Sequence, residues 1–160
     1  MPVGKPLKFQ DTKTLNAFLS KYDTFSCEKD LCDFIEHNKE KFCEDVLGGK
    51  LKEYQREWGL DKHNRPFSGN KPAIDFYFEL EGGKKMGVEC KTPRNIYGEL
   101  SRAISQILSY FVLAKDNGVF LDGMFLVTTA YHEIIDKLIA EFNLPIKTLV
   151  LSKTFRGEVV

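Results

Sequence analysis

The chain has no excess of charge of either sign: 23 Lys and Arg stand against 23 Asp and Glu. It is therefore not a polycation that coats nucleic acid indiscriminately, and any grip on a polyanion must come from a local patch or a metal. No apolar run approaches the roughly 20 residues that span a bilayer. The opening Met1-Pro-Val-Gly-Lys-Pro6 has no apolar core of a signal peptide, so residence in the cytosol is the expectation. Internal repeats, low-complexity segments and domain linkers are missing. The three histidines, His37, His63 and His132, have no mutual spacing that suggests ligands or a triad, and read as surface or capping groups. The four cysteines, Cys27, Cys32, Cys43 and Cys90, form no C-x-x-C pair and no Cys/His cluster. That pattern argues against a structural zinc site and for reduced, mostly buried thiols. A cytosolic chain of this size needs no disulfide.

What is present suits a folded domain. An apolar fraction of 42% with 12% aromatics excludes general disorder. At 160 residues a single domain over 1–160 is the simplest expectation. Its N-terminal helices would cover 12–43 and its core about 50–151. Leu15, Phe18 and Leu19 mark a short helix over 12–22, and Leu31, Phe34 and Ile35 mark a second over 27–43, with Ser26 as its cap. Gly48-Gly49 ends that region. A strand follows over 51–58, where Tyr54 and Trp58 read as packing residues, and then a polar loop over 61–72. Two strands at 73–80 and 85–91 flank Glu81-Gly82-Gly83, which is hairpin chemistry rather than a phosphate loop. Helix 98–115 carries an apolar stripe of Leu100, Ala103, Ile104, Ile107, Leu108, Phe111 and Val112. Strand 121–129, helix 131–142 and strand 146–151 complete the order α-α-β-β-β-α-β-α-β. The fold class is α/β (α+β), a mixed sheet flanked by helices.

Chemistry concentrates at the open end of the hairpin. Side chains alternate along a strand, so Glu89 and Lys91 share a face and Cys90 takes the other. A turn at Gly82-Gly83 sets Asp75 opposite Glu89 or Cys90. Two carboxylates so placed repel and raise each other's pKa unless a cation such as Mg²⁺ or Mn²⁺ sits between them. The Cys90 backbone carbonyl is a third candidate oxygen ligand. A cation with few protein ligands keeps its waters and can activate one. Lys91 would orient that water and offset charge on a phosphorane. Charged groups at a hairpin are usually solvated. Here Ile74, Phe76, Phe78, Met86 and Val88 mark the strands as core, and charges at the end of core strands usually have a partner or a function.

Ile-Asp75 followed by Val-Glu89-Cys-Lys91 resembles the signature of the PD-(D/E)xK nuclease superfamily. Gln106-Ile-Leu-Ser-Tyr110 resembles the Q-x-x-x-Y motif of its RecB-like members. Ser26-Cys-Glu-Lys-Asp-Leu-Cys-Asp-Phe-Ile35 is similar to the first helix of the NucS-like and RecB-like groups. The resemblance spans about 26–130; Ala73 stands where a loosely kept proline is common, with Pro72 one step earlier. It implies a restriction-endonuclease-like three-layer core with a central sheet of four to five strands. It also implies a Mg²⁺- or Mn²⁺-dependent deoxyribonuclease, an endonuclease rather than an exonuclease. Asp75, Glu89, Lys91 and Gln106 become the catalytic set. Metal ligands would be Asp75, Glu89, the Cys90 carbonyl and, through water, Glu28, with Glu36 as its substitute.

Arg94, Arg102 and Lys85 are candidate contacts to DNA phosphates, and Tyr110 is either such a contact or a structural hydroxyl. Lys84 reads as a solubilising turn residue. With no recognition module in view, a homodimer or a partner protein is expected to supply specificity. The competing expectations are a nucleic-acid-binding module that kept the fold without turnover, and an interaction protein.

Overall fold

The computed structural model describes Phe25 and residues 27–60, 72–151 and 158–159. The helix expected over 12–22, Ser26 and all of the 61–72 loop except Pro72 lie outside the described residues. Helix α1 (Glu28–His37) starts with Cys27 at its N-cap position, where no side chain caps it. The single helix expected over 27–43 is divided at Asn38, whose φ of −112° leaves the helical range. It resumes as α2 (Lys39–Phe42) and widens into a π turn (Cys43–Leu47) that Gly48 closes at φ 86°.

Six strands form one sheet in sequence order among the described residues. They are β1 (Leu51–Gly59), β2 (Ala73–Leu80), β3 (Lys85–Lys91), β4 (Gly123–Thr128), β5 (Ile146–Val150) and β6 (Glu158–Val159). The first three are antiparallel, β3, β4 and β5 are parallel, and β5 and β6 are antiparallel. The parallel steps require crossovers, supplied by α3 (Ile96–Asp116) and α4 (Glu133–Phe142). The short β6 was not anticipated from sequence. Edge strand β1 is largely exposed and carries Lys52, Glu53, Arg56 and Glu57, charges that discourage pairing with other chains. No helix among the described residues is long and apolar enough to cross a membrane.

Strand alternation divides the core in two. Phe76, Phe78, Met86, Val88, Cys90, Phe125 and Val127 pack with Leu31, Phe34, Ile35 and Phe42 of the α1 side. Met124, Leu126 and Ile146 pack with Leu100, Ala103, Ile107, Tyr110 and Ala114 of α3 and Ile135 of α4. Helices therefore cover both faces of a mixed sheet, the α+β layering expected. Fully burying a side chain such as Phe76 or Phe78 contributes about 2–3 kcal/mol.

The buried stripe of α3 differs from the one expected. Leu108 is 38% and Val112 60% exposed, whereas Tyr110 and Ala114 are buried. The sheet and α4 cover the face running through 100, 103, 107, 110 and 114; Leu108 and Val112 fall on its flank. Hydrophobicity alone could not rank a tyrosine above a valine here.

Candidate active site

Three elements and the end of a fourth converge where β2 and β3 part. The hairpin ladder runs from Glu79↔Lys85 to Phe76↔Val88, and its next bonded pair would join Ile74 and Cys90. Instead, the Cys90 N–H donates to Asp75 Oδ2 at 2.8 Å. The strands separate there, and the Asp75 carboxylate occupies the plane of the sheet. By the same alternation the Cys90 carbonyl faces β2. Glu57 stands at the register position across from Asp75 in the strained left-handed region, φ 54°. The sequence held no signal for that conformation.

Glu89 is only 3% exposed, and its Oε2 has no hydrogen-bond partner. Burial foremost, then the negative charge of Asp75, push the Glu89 carboxyl up to about 9 against the attraction of Lys91. Asp75 is raised by burial too, with the Cys90 N–H and Glu89 pulling it down. The rise holds even though Lys91 Nζ lies 3.7 Å from Glu89 Oε1; burial and Asp75 outweigh that ion pair. A buried carboxylate oxygen without a donor, beside a second carboxylate, fits a hard divalent cation.

Lys91 Nζ also lies 3.9 Å from Glu28 Oε1, which brings the first residue of α1 to the site. Burial raises the Glu28 carboxyl, Lys91 lowers it, and Asp75 and Glu99 raise it. Glu36 is not at the site: its Oε1 is 3.4 Å from Arg56 Nη1. Arg56 also holds Asp33 at 2.7 Å, and Lys29 completes the group at 2.7 Å from Asp33. This partly exposed network ties α1 to β1 and so fixes the approach of Glu28. The i, i+4 spacing of Lys29 and Asp33 was its only trace in the sequence.

Helix α3 brings Tyr110 within electrostatic reach of Glu89 and Asp75. Gln106 Nε2 donates to the Tyr110 hydroxyl at 2.6 Å. Tyr110 is 4% exposed, and its hydroxyl is raised by burial first and then by the charge of Glu89. Of the two roles expected for it, its burial and the bond from Gln106 favour the structural hydroxyl. Arg94 and Arg102 are exposed, on the turn into α3 and on its second turn. Glu99 Oε2 accepts the N–H groups of Arg94 and Asn95, both at 2.7 Å, and Asn95 caps Gly98 in return at 3.3 Å. Glu99 thereby holds the turn that carries Arg94, a role unrecognised from sequence.

Lys85, expected beside the site as a contact to DNA phosphates, lies away from the carboxylates. It sits at the turn end of β3, six residues from Lys91, hence about 20 Å from the site at strand rise. Lys84, its neighbour, donates to the Leu47 carbonyl at 3.3 Å. Closeness in sequence did not survive an extended strand. The cysteines Cys32, Cys43 and Cys90 are buried thiols and Cys27 an exposed one. One ligand atom each of Cys32, Asp75 and Cys90 lie within 4.8 Å of one another. His132 accepts the Ile134 N–H at 3.0 Å, the capping role expected of it.

No protein-family model matches the chain, and no curated protein sequence matches it. Three solved structures are similar to it. The crystal structure of a repair endonuclease from Pyrococcus abyssi has a TM-score of 0.49 at 19% identity, over 77% of this chain and 46% of that one. An EndoMS complex with double-stranded DNA has 0.45 at 16%, over 78% and 44%. The small subunit of a heterodimeric restriction endonuclease has 0.44 at 16%, over 76% and 72%. The chain spans under half the length of the first two. The chain's own architecture is a mixed sheet between helices.

Proposed function

We propose that this chain is a divalent-metal-dependent nuclease that hydrolyses DNA phosphodiesters, acting as an endonuclease. The observation that carries the reading is the buried, unpartnered Oε2 of Glu89 beside Asp75, with Lys91 on the same strand face. Asp75, Glu89 and the Cys90 carbonyl would hold Mg²⁺ or Mn²⁺, with Glu28 acting through water. When bound, the cation supplies Lewis-acid activation of water and of the phosphoryl oxygen. Lys91 orients the attacking water through its ammonium protons and offsets charge on the phosphoryl oxygens. Gln106, itself steadied by Tyr110, presents its carbonyl oxygen and remaining N–H to water or phosphate. Arg94 and Arg102 contact backbone phosphates of the substrate. A homodimer or partner protein supplies specificity.

The test uses purified protein with single-stranded, duplex and branched DNA, in Mg²⁺, in Mn²⁺ and in EDTA. Cleavage is expected with metal and not with EDTA, and it should fall at least 100-fold in both Asp75→Ala and Lys91→Ala. Cleavage surviving both substitutions would overturn the site. Tight DNA binding without cleavage of any substrate would instead identify a binding module.

A further inference from the structure

We propose a second cation site, built from the thiols of Cys32 and Cys90 and the carboxylate of Asp75, that takes a thiophilic divalent cation such as Zn²⁺ and inhibits the enzyme. Its occupancy is independent of the function proposed above; its inhibitory effect rests on that function.

The three donors come from three elements, α1, β3 and β2, and meet only through the fold. Cys32 is 6% exposed and Cys90 fully buried. With ligand atoms within 4.8 Å of one another, they stand close to the spacing a tetrahedral zinc requires. Bonds of about 2.3 Å to sulfur set two sulfurs about 3.8 Å apart. A shift of at most about 1 Å in the Cys32 side chain closes any difference. Two sulfurs and one oxygen form a softer donor set than the Asp75–Glu89 pair offers, and soft ligands select Zn²⁺ or Cd²⁺ over Mg²⁺. As the two metal–sulfur bonds form, both thiol protons pass to solvent, and the fourth position remains for water.

Asp75 belongs to both sites. Its Oδ2 already accepts the Cys90 N–H in the sheet plane, between the face of Cys90 and the face of Glu89. A cation drawing Asp75 toward the sulfurs removes it from Glu89. The catalytic pair and the thiol site thus compete for one carboxylate.

The experiment titrates the full chain with Cd²⁺ in a non-thiol reductant, in a Cys27→Ser background that removes the exposed thiol. Near-ultraviolet thiolate-to-metal absorption reports sulfur ligation and needs no catalysis. One equivalent should saturate the band. Cys32→Ala should weaken Cd²⁺ binding at least tenfold, whereas Cys43→Ala should leave it unchanged. If Cys32→Ala fails to fold, Asp75→Asn carries the test, with affinity expected to fall at least tenfold while the band persists at saturation. Absence of the band, or affinity unaffected by Cys32→Ala and Asp75→Asn alike, overturns the site. In parallel, each variant's Mg²⁺-dependent cleavage with and without Cd²⁺ is compared. Sulfur ligation without inhibition overturns the regulatory role. Ligation in a protein that cleaves nothing under any condition supports the site and counts against the proposed nuclease.

Discussion

Asp75 Oδ2 takes the N–H of Cys90 at 2.8 Å, where an uninterrupted ladder would offer the carbonyl of Ile74. A side chain has replaced a backbone acceptor, and the replacement opens the sheet at the one point where two carboxylates meet. Asp75→Asn retains an acceptor for that N–H and removes the charge. We predict a melting temperature within a few degrees of wild type and a 10²- to 10³-fold lower single-turnover cleavage rate. A comparable loss of fold and rate together would reduce Asp75 to a structural residue.

The raised Glu89 carboxyl sets a pH dependence for the metal-free protein. Burial foremost pushes it up to about 9 in the fold from an ordinary 4.5, so the folded state holds the proton more tightly. Its stabilisation is complete below about pH 4.5 and is lost as pH rises through 9, with a slope up to about 1.4 kcal/mol per pH unit for this one group. Urea unfolding in EDTA from pH 5 to 9 should show that decline, and Glu89→Gln should flatten it. Mg²⁺ should stabilise more at pH 8 than at pH 6, because binding displaces the proton.

Gln106 and Tyr110 act as a unit through their 2.6 Å bond. Tyr110→Phe removes the acceptor and should cost about 1 kcal/mol of stability, with cleavage reduced only a few-fold. Gln106→Ala should lower cleavage about tenfold or more with little change in stability. The double variant should be no slower than Gln106→Ala; fully additive rate losses would show that the two act separately.

Arg94 and Lys85 separate proximity in sequence from proximity in space. Arg94→Ala should weaken DNA binding and reduce the salt slope of the affinity by about 1, as loss of one phosphate contact does. Lys85→Ala, at the far end of β3, should change neither. Equal effects of the two would mean that DNA runs along the whole hairpin rather than across its open end.

Much of the fold could be read directly because its signals are local. The hairpin declared itself through alternating Ile74, Phe76 and Phe78 around two glycines, and these adopt φ 97° and 93° as a tight turn requires. The long helix declared itself by period, although Tyr110 and Val112 exchanged their expected burial. The division of α1 from α2 at Asn38 and the left-handed Glu57 were invisible, since each depends on what packs against it. At the site, Asp75, Glu89 and Lys91 were identifiable because a strand period and one turn suffice to bring them together. Glu28 needed α1 laid across the end of β3, and Glu99 needed the turn geometry of 94–98.

The sequence by itself determined the hairpin, the shared face of Glu89 and Lys91, and the presence of opposing carboxylates, because alternation and turn chemistry act over a few residues. Tertiary structure decided the rest. It set the burial that raises the Glu89 carboxyl, the place of Lys85 at the far end of β3 and of Glu36 beside Arg56, and the meeting of Cys32 with Cys90 across 58 positions of chain. The reason is one of range. Backbone periodicity fixes which way a side chain points, whereas dielectric surroundings and contacts between distant elements exist only once the helices have closed over the sheet.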